Sequence, residues 1–172
     1  MEYVILVDEQ DRELGTLEKM EAHQRGVLHR AFSVLIFNNR GELLLQKRAA
    51  SKYHSRNLWT NTCCSHPRLG ESLQTAAQRR LIEEMGIACA VEPLYSFVYQ
   101  VSLDNGLIEH ELDHVLVGYC DEAPAVNPQE VAEWKYVSLD WVREDAMQNP
   151  EQYTYWFRLI LTHPELMQVV IP

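Results

Sequence analysis

The chain has 172 residues, 47% of them hydrophobic and 23% charged, with a formal net charge of −10. That length and composition fit one globular domain around one core, and the acidic balance argues against a nucleic-acid surface or an anionic membrane as partner. An anionic ligand would need positive charge concentrated locally, or a recruited cation.

Tyr3 to Val7 reads as a short apolar strand, and Asp8 to Gly15 as a polar, turn-like stretch. Lys19 follows, then His23 and His29 on either side of Gly26. Ala31 to Phe37 and Leu43 to Lys47 are β-rich runs joined by Asn38-Asn39-Arg40-Gly41, a hairpin signal. Arg48 and Lys52 lie in the basic, loop-like segment beyond. Trp59 to Gly86 then packs Cys63, Cys64 and His66 into a loop that runs into a helix. Ser72 suits its N-cap and Gly86 its C-terminal stop. Leu73, Ala77, Leu81 and Met85 recur every four residues, giving one apolar face. Arg80 and Glu84 fall at the edge of that face, while Arg79 and Glu83 point further out. Taken alone, Arg80 and Glu84 are an i,i+4 surface ion pair worth about 0.2–0.5 kcal/mol.

Leu94 to Leu103 and Ile108 to Tyr119 read as strands around an Asp104-Asn105-Gly106 turn, and Val131 to Val137 as another. Ser138 to Met147 and Glu151 to His163 read as helices, with Ser138 and Pro150 at their starts. Strands and helices interleave without repeat or linker. The expectation is an α/β fold, a sandwich with a mixed sheet between helices, in a single domain spanning 1–172. No signal peptide or long apolar run is evident. Cys63, Cys64, Cys89 and Cys120 form neither a CxxC pair nor a disulfide framework. A soluble protein of a reducing cytoplasm is therefore expected.

Strand alternation puts Glu109, Glu111 and Asp113 on one face. Three carboxylates there are either solvent-exposed or gathered around something cationic. His23, His29 and His66 could add nitrogen ligands, although a lone histidine is more often structural. Such a mixed set suits Mn²⁺, Zn²⁺ or Fe²⁺ better than Mg²⁺.

Ser65 to Ile87 resembles a Nudix box, with Glu71, Arg79, Leu81, Glu83, Glu84, Gly86 and Ile87 at the expected places. It departs at Ser65, where the box opens with glycine, and at Arg80, where the hydrolases carry a glutamate that helps hold catalytic magnesium. A guanidinium there removes a hard oxygen ligand and adds a phosphate clamp, which favours binding a diphosphate over cleaving it. With TNTCCSHP before the box and EHELDH after it, residues 3 to 160 resemble the type 1 isopentenyl diphosphate isomerases.

The resemblance implies a Nudix-like α/β/α sandwich acting on isopentenyl diphosphate in isoprenoid biosynthesis. It implies a metal site of His23, His29, His66, Glu109 and Glu111, holding Mn²⁺ or Mg²⁺ with Zn²⁺ possible, and a Mg²⁺ bridging the diphosphate to Glu84. Lys19, Arg48, Lys52 and Arg80 match the diphosphate-binding positions. Cys64 and Glu111 match the groups on opposite faces of the substrate, with Tyr99 beside Glu111 and Trp156 covering the cation. Cys63 is the rival thiol, separated from Cys64 by register against His66. A Nudix pyrophosphohydrolase is the alternative, and Arg80 counts against it. A structural zinc protein is the third reading, but the cysteines lie outside zinc spacing. Asp113 and His114 receive no role, and oligomeric state is not legible.

Overall fold

The computed structural model describes residues 1–169; the last three residues of the expected domain, 170–172, lie outside the described residues. A mixed sheet is organised on β3 (His29–Phe37), nearly all of it buried. On one side β3 pairs in parallel with β8 (Ile108–Tyr119), which pairs antiparallel with β7 (Val91–Ser102). On the other it pairs antiparallel with the short β6 (Cys63–Ser65). The hairpin through Asn38 leads to β4 (Leu43–Arg48), flanked by β5 (Trp59–Thr60) and β9 (Val131–Val137). β1 (Tyr3–Val7) and β2 (Glu13–Glu18) extend the edge.

Alternation along β3 divides the core. Phe32, Val34 and Ile36 face α2 (Leu73–Met85) through Ala76, Ala77, Leu81 and Met85. Leu35 and Phe37 face α3 (Leu139–Gln148) and α4 (Tyr155–Thr162), which present Val142, Trp156, Phe157 and Ile160. Each fully buried large side chain contributes about 1.5–3 kcal/mol, so both layers are fastened to the sheet by burial. Ser72 caps α2 by accepting from Thr75 N, and Gly86 ends it at φ 66°. A side chain at Gly86 would put its Cβ 2.4 Å from Ala125 O, so glycine is required by conformation and by space. No described helix is long and apolar enough to cross a membrane.

Four elements differ from the sequence expectation. Part of the turn-like 8–15 stretch belongs to β2, an exposed edge strand with little apolar alternation to betray it. Lys19–Arg25 forms a two-turn helix, α1, whose N-cap Glu18 accepts from Glu21 N and whose end at Gly26 is left-handed. The loop before α2 contains β6. The helix expected over 151–163 is broken: Pro150–Gln152 is one 3-10 turn, Tyr153 and Thr154 are extended, and α4 starts at Tyr155. The break arises because Thr154 N donates to Trp59 O and Thr154 Oγ1 meets Thr60 Oγ1 at 2.8 Å, tying the chain to β5.

Candidate active site

The loop after β4, strand β6, and the start of β8 wall a cavity of about 580 Å³. Lys19, Arg48, Lys52 and Arg80 line it together with Cys64, His66, Glu109, Glu111 and Trp156. Four cations on an acidic chain thus converge from three segments: α1, the end of β4 with the loop after it, and α2. Lys19 pairs with Glu2 at 3.0 Å, Lys52 with Glu130, and Arg80 with Glu83, Glu84 and Glu130. Neighbouring Arg79 is committed elsewhere, in a bidentate pair with Glu71 at 2.8 and 2.9 Å.

The β3–β6 register decides which thiol faces this space. Ser33 lies opposite Cys64 and Val34 opposite Cys63. Cys63 is fully buried in the core under α2, whereas Cys64 lines the cavity with Sγ 3.9 Å from Arg48 Nη1. Burial pushes the Cys64 thiol up to about 12 against the opposing pull of Arg48, so the sulfur keeps its proton.

His23, His29, His66 and Glu111 present ligand atoms that all lie within 4.8 Å of one another. Glu109 falls in a second group, with His23 and His54. His23 Nδ1 is 2.7 Å from Lys19 O and His29 Nδ1 is 2.8 Å from Val27 O, so the protons sit on Nδ1 and the Nε2 lone pairs point inward. His23 Nε2 is buried without a hydrogen-bond partner among the described residues. This donor set fits a divalent metal ion: two imidazoles with fixed tautomers, an orphaned buried nitrogen and a carboxylate close together.

Glu109 and Glu111 divide the charge between them. Burial and the neighbouring Glu111 push Glu109 well above the usual carboxylate range. Burial opposes ionisation of Glu111 too, but the His66 hydrogen bond and the electrostatic influence of the His29 and His66 imidazoles outweigh it and hold Glu111 well below. The single Tyr99 hydroxyl proton is shared between them, its oxygen 2.8 Å from Glu111 Oε2 and 3.1 Å from Glu109 Oε2. Burial lowers His66 to about 4, against the raising influence of Glu111 at 3.0 Å.

Glu84 is 3% exposed and accepts from Gln46 Nε2 at 2.8 Å as well as from Arg80. Trp156 is held by Nε1 donating to Asn61 Oδ1 at 3.2 Å, and the Arg48 guanidinium lies 5.4 Å from its ring. Sequence reasoning missed His54, Gln46, Asn61 and Glu130. Of these only His54 carried a signal, its place two residues after Lys52. Asp113 is buried, accepting from Ser33 Oγ at 2.8 Å, and His114 pairs with Asp11 at 3.1 Å.

The family model described as NUDIX domain matches residues 27–157. The chain is 55% identical over 156 residues to an isopentenyl-diphosphate Delta-isomerase of Pectobacterium atrosepticum, covering 91% of this chain and 87% of that one. It is 56% identical over 153 residues to isopentenyl-diphosphate Delta-isomerase 1 of Aromatoleum aromaticum, covering 89% and 86%. Among solved structures, a Deinococcus radiodurans protein superposes with a TM-score of 0.76 at 18% identity, covering 93% of this chain and 97% of that one. The MutT protein from Methanosarcina mazei gives 0.68 at 19% identity, covering 83% and 96%. At those identities the two structures share the fold alone.

Proposed function

The chain belongs to the Nudix domain family and, within it, to the isopentenyl-diphosphate Delta-isomerases, and from that premise we propose that it interconverts isopentenyl and dimethylallyl diphosphate in this cavity. The observation that carries the reading is the convergence of Cys64, the Glu109–Glu111 pair and four cations on one space. The reaction moves a double bond by adding a proton to one carbon and removing one from another, through a carbocation-like state. It needs an acid and a base, an anchored diphosphate and little water.

Cys64, protonated by burial, and Glu111, ionised beside His29 and His66, are the proton-exchanging groups, and they trade roles when the reaction reverses. Tyr99 orients Glu111 through its hydroxyl. Trp156 faces the developing cation; an indole face is worth about 2 kcal/mol or more to a desolvated cation. Lys19, Arg48, Lys52 and Arg80 hold the diphosphate, Arg with a forked donor set and Lys as a point charge.

His23, His29, His66, Glu109 and Glu111 would hold one divalent ion, for which nitrogen-rich ligation suits Mn²⁺ or Zn²⁺ better than Mg²⁺, and Glu84 would offer a hard oxygen ligand to a Mg²⁺ at the diphosphate. When bound, these ions neutralise the buried carboxylates and the phosphate oxygens. We take the enzyme to work in the cytoplasm as one domain. Its relatives are named isomerases, and Arg80 adds a cation where the hydrolases place a ligand, so hydrolysis is the disfavoured alternative. Incubating the purified chain with isopentenyl diphosphate in heavy water tests the reading: deuterated dimethylallyl product without released phosphate supports it, and phosphate without allylic product refutes it.

A further inference from the structure

His54 is not one of the five proposed metal ligands, although its ligand atom lies within 4.8 Å of those of His23 and Glu109; it is 3% exposed and lines the cavity. Its Nε2 lies 3.1 Å from Glu109 Oε1, and its Nδ1 lies 3.0 Å from Ser55 Oγ. The other oxygen of the same carboxylate, Oε2, accepts from Tyr99 at 3.1 Å. Without a metal Glu109 lies well above the usual carboxylate range; once it gives up its proton to serve as a metal ligand, it can only accept. The His54 proton therefore sits on Nε2, and Nδ1 accepts from the Ser55 hydroxyl. In that ionised state both oxygens of Glu109 are faced, Oε2 by Tyr99 from β7 and Oε1 by His54 from the loop between β4 and β5. Each oxygen keeps a lone pair for a cation.

The loop is built to hold the imidazole there. Arg48 Nη2 donates to His54 O at 3.2 Å, and the ring stands edge-on to Trp156, centroids 5.9 Å apart at 84°. Ser55, which orients Nδ1, adopts φ 48°, a left-handed conformation uncommon for a residue with a side chain. The same loop carries Lys52.

From this geometry we infer that His54 is a positioning residue: its Nε2–H fixes Glu109 as a metal ligand and ties the Lys52-bearing loop to the metal centre. The inference rests on the proposed metal role of Glu109. Ligand-orienting hydrogen bonds of this kind typically govern about 10–100-fold in metal affinity.

The test is Mn²⁺ binding to the chelator-stripped full chain, followed by the electron paramagnetic resonance of the free ion, with thermal unfolding of each stripped variant as the folding control. His54→Phe and His54→Ala both lack the donor, one keeping bulk and one removing it, and each weakens binding by about 10–100-fold. His54→Gln retains an N–H donor and keeps most of the affinity. Wild-type affinity in either folded donor-less variant, or a Gln variant as weak as those two, overturns the positioning role. Glu109→Gln separates the two levels: if it binds Mn²⁺ like the wild type, or if the wild type binds none, the metal role of Glu109 fails and the inference with it.

Discussion

Replacing the two adjacent cysteines singly should give opposite results, because β6 turns them to opposite sides of the sheet. Cys63→Ala removes a sulfur from the fully buried core beneath α2. The vacated space costs about 1 kcal/mol, which for a chain of this size lowers the melting temperature by about 2–4 °C. Turnover should be unchanged, since nothing of Cys63 faces the cavity. Cys64→Ala should leave the melting temperature nearly intact, because Cys64 is only partly buried and its contact with Arg48 is a long 3.9 Å. Its loss falls on chemistry: one positioned proton donor contributes about 10²–10⁴-fold, or about 2.7–5.4 kcal/mol of barrier. That loss should be read in kcat, with KM and metal content near wild type, since the cations and imidazoles remain. Product formation, deuterium uptake from heavy water, metal content and thermal unfolding of both variants make the assay. A dead but well-folded Cys63→Ala would refute the register argument. Two active variants with normal deuterium uptake would refute the thiol as proton donor and turn attention to Tyr99.

The fold was legible where side-chain periodicity is strong. β3, β4, β8, α2 and α3 bury regular apolar faces, and Ser72, Ser138 and Gly86 mark their ends by capping chemistry that acts over a few residues. It was illegible where tertiary contact overrides local pattern. β2 is an exposed edge defined by pairing with β1, β6 is three residues held by β3, and the helix over 151–163 yields to Thr154 bonding β5. The candidate site follows the same division. Glu109 and Glu111 share a face by alternation, and Arg80 separates from Arg79 by helical angle. His54 could not be found that way. Its partner Glu109 is 55 positions away by number, in β8, and no spacing rule connects an irregular loop to a strand. Nor did charge counting expose Glu130, which meets both Lys52 and Arg80 only because the segment preceding β9 folds over the cavity.

Arg80→Glu takes a cation from the proposed diphosphate anchor and sets a new carboxylate among Glu83, Glu84 and Glu130. One lost charge-assisted hydrogen bond to the diphosphate is worth about 1.5–3 kcal/mol, so kcat/KM for isopentenyl diphosphate should fall by at least about tenfold. Phosphate release is assayed in the same variant because it restores the hydrolase-like glutamate, and wild-type affinity would remove Arg80 from the diphosphate site. His66→Ala should lower the metal content of the purified protein in elemental analysis, and an unchanged content would dismantle the site as drawn. Asp113→Asn should alter the pH dependence of stability in the chelator-stripped protein. Burial, with Glu111 adding to it, raises Asp113 from 3.8 to about 8, against the Ser33 hydrogen bond. Between about pH 4 and 8 the folded chain therefore holds a proton that the unfolded chain has released. The unfolded state binds fewer protons, so this group makes stability fall as pH rises through that window, by up to about 1.4 kcal/mol per pH unit. An asparagine keeps an oxygen to accept from Ser33 but cannot ionise, so the slope should flatten and the variant should gain on the wild type progressively toward pH 8. Urea unfolding of both proteins across that range measures the difference. A constant offset would show that Asp113 does not retain its proton, and that its unpartnered Oδ1 is stabilised as a charge by something other than Ser33.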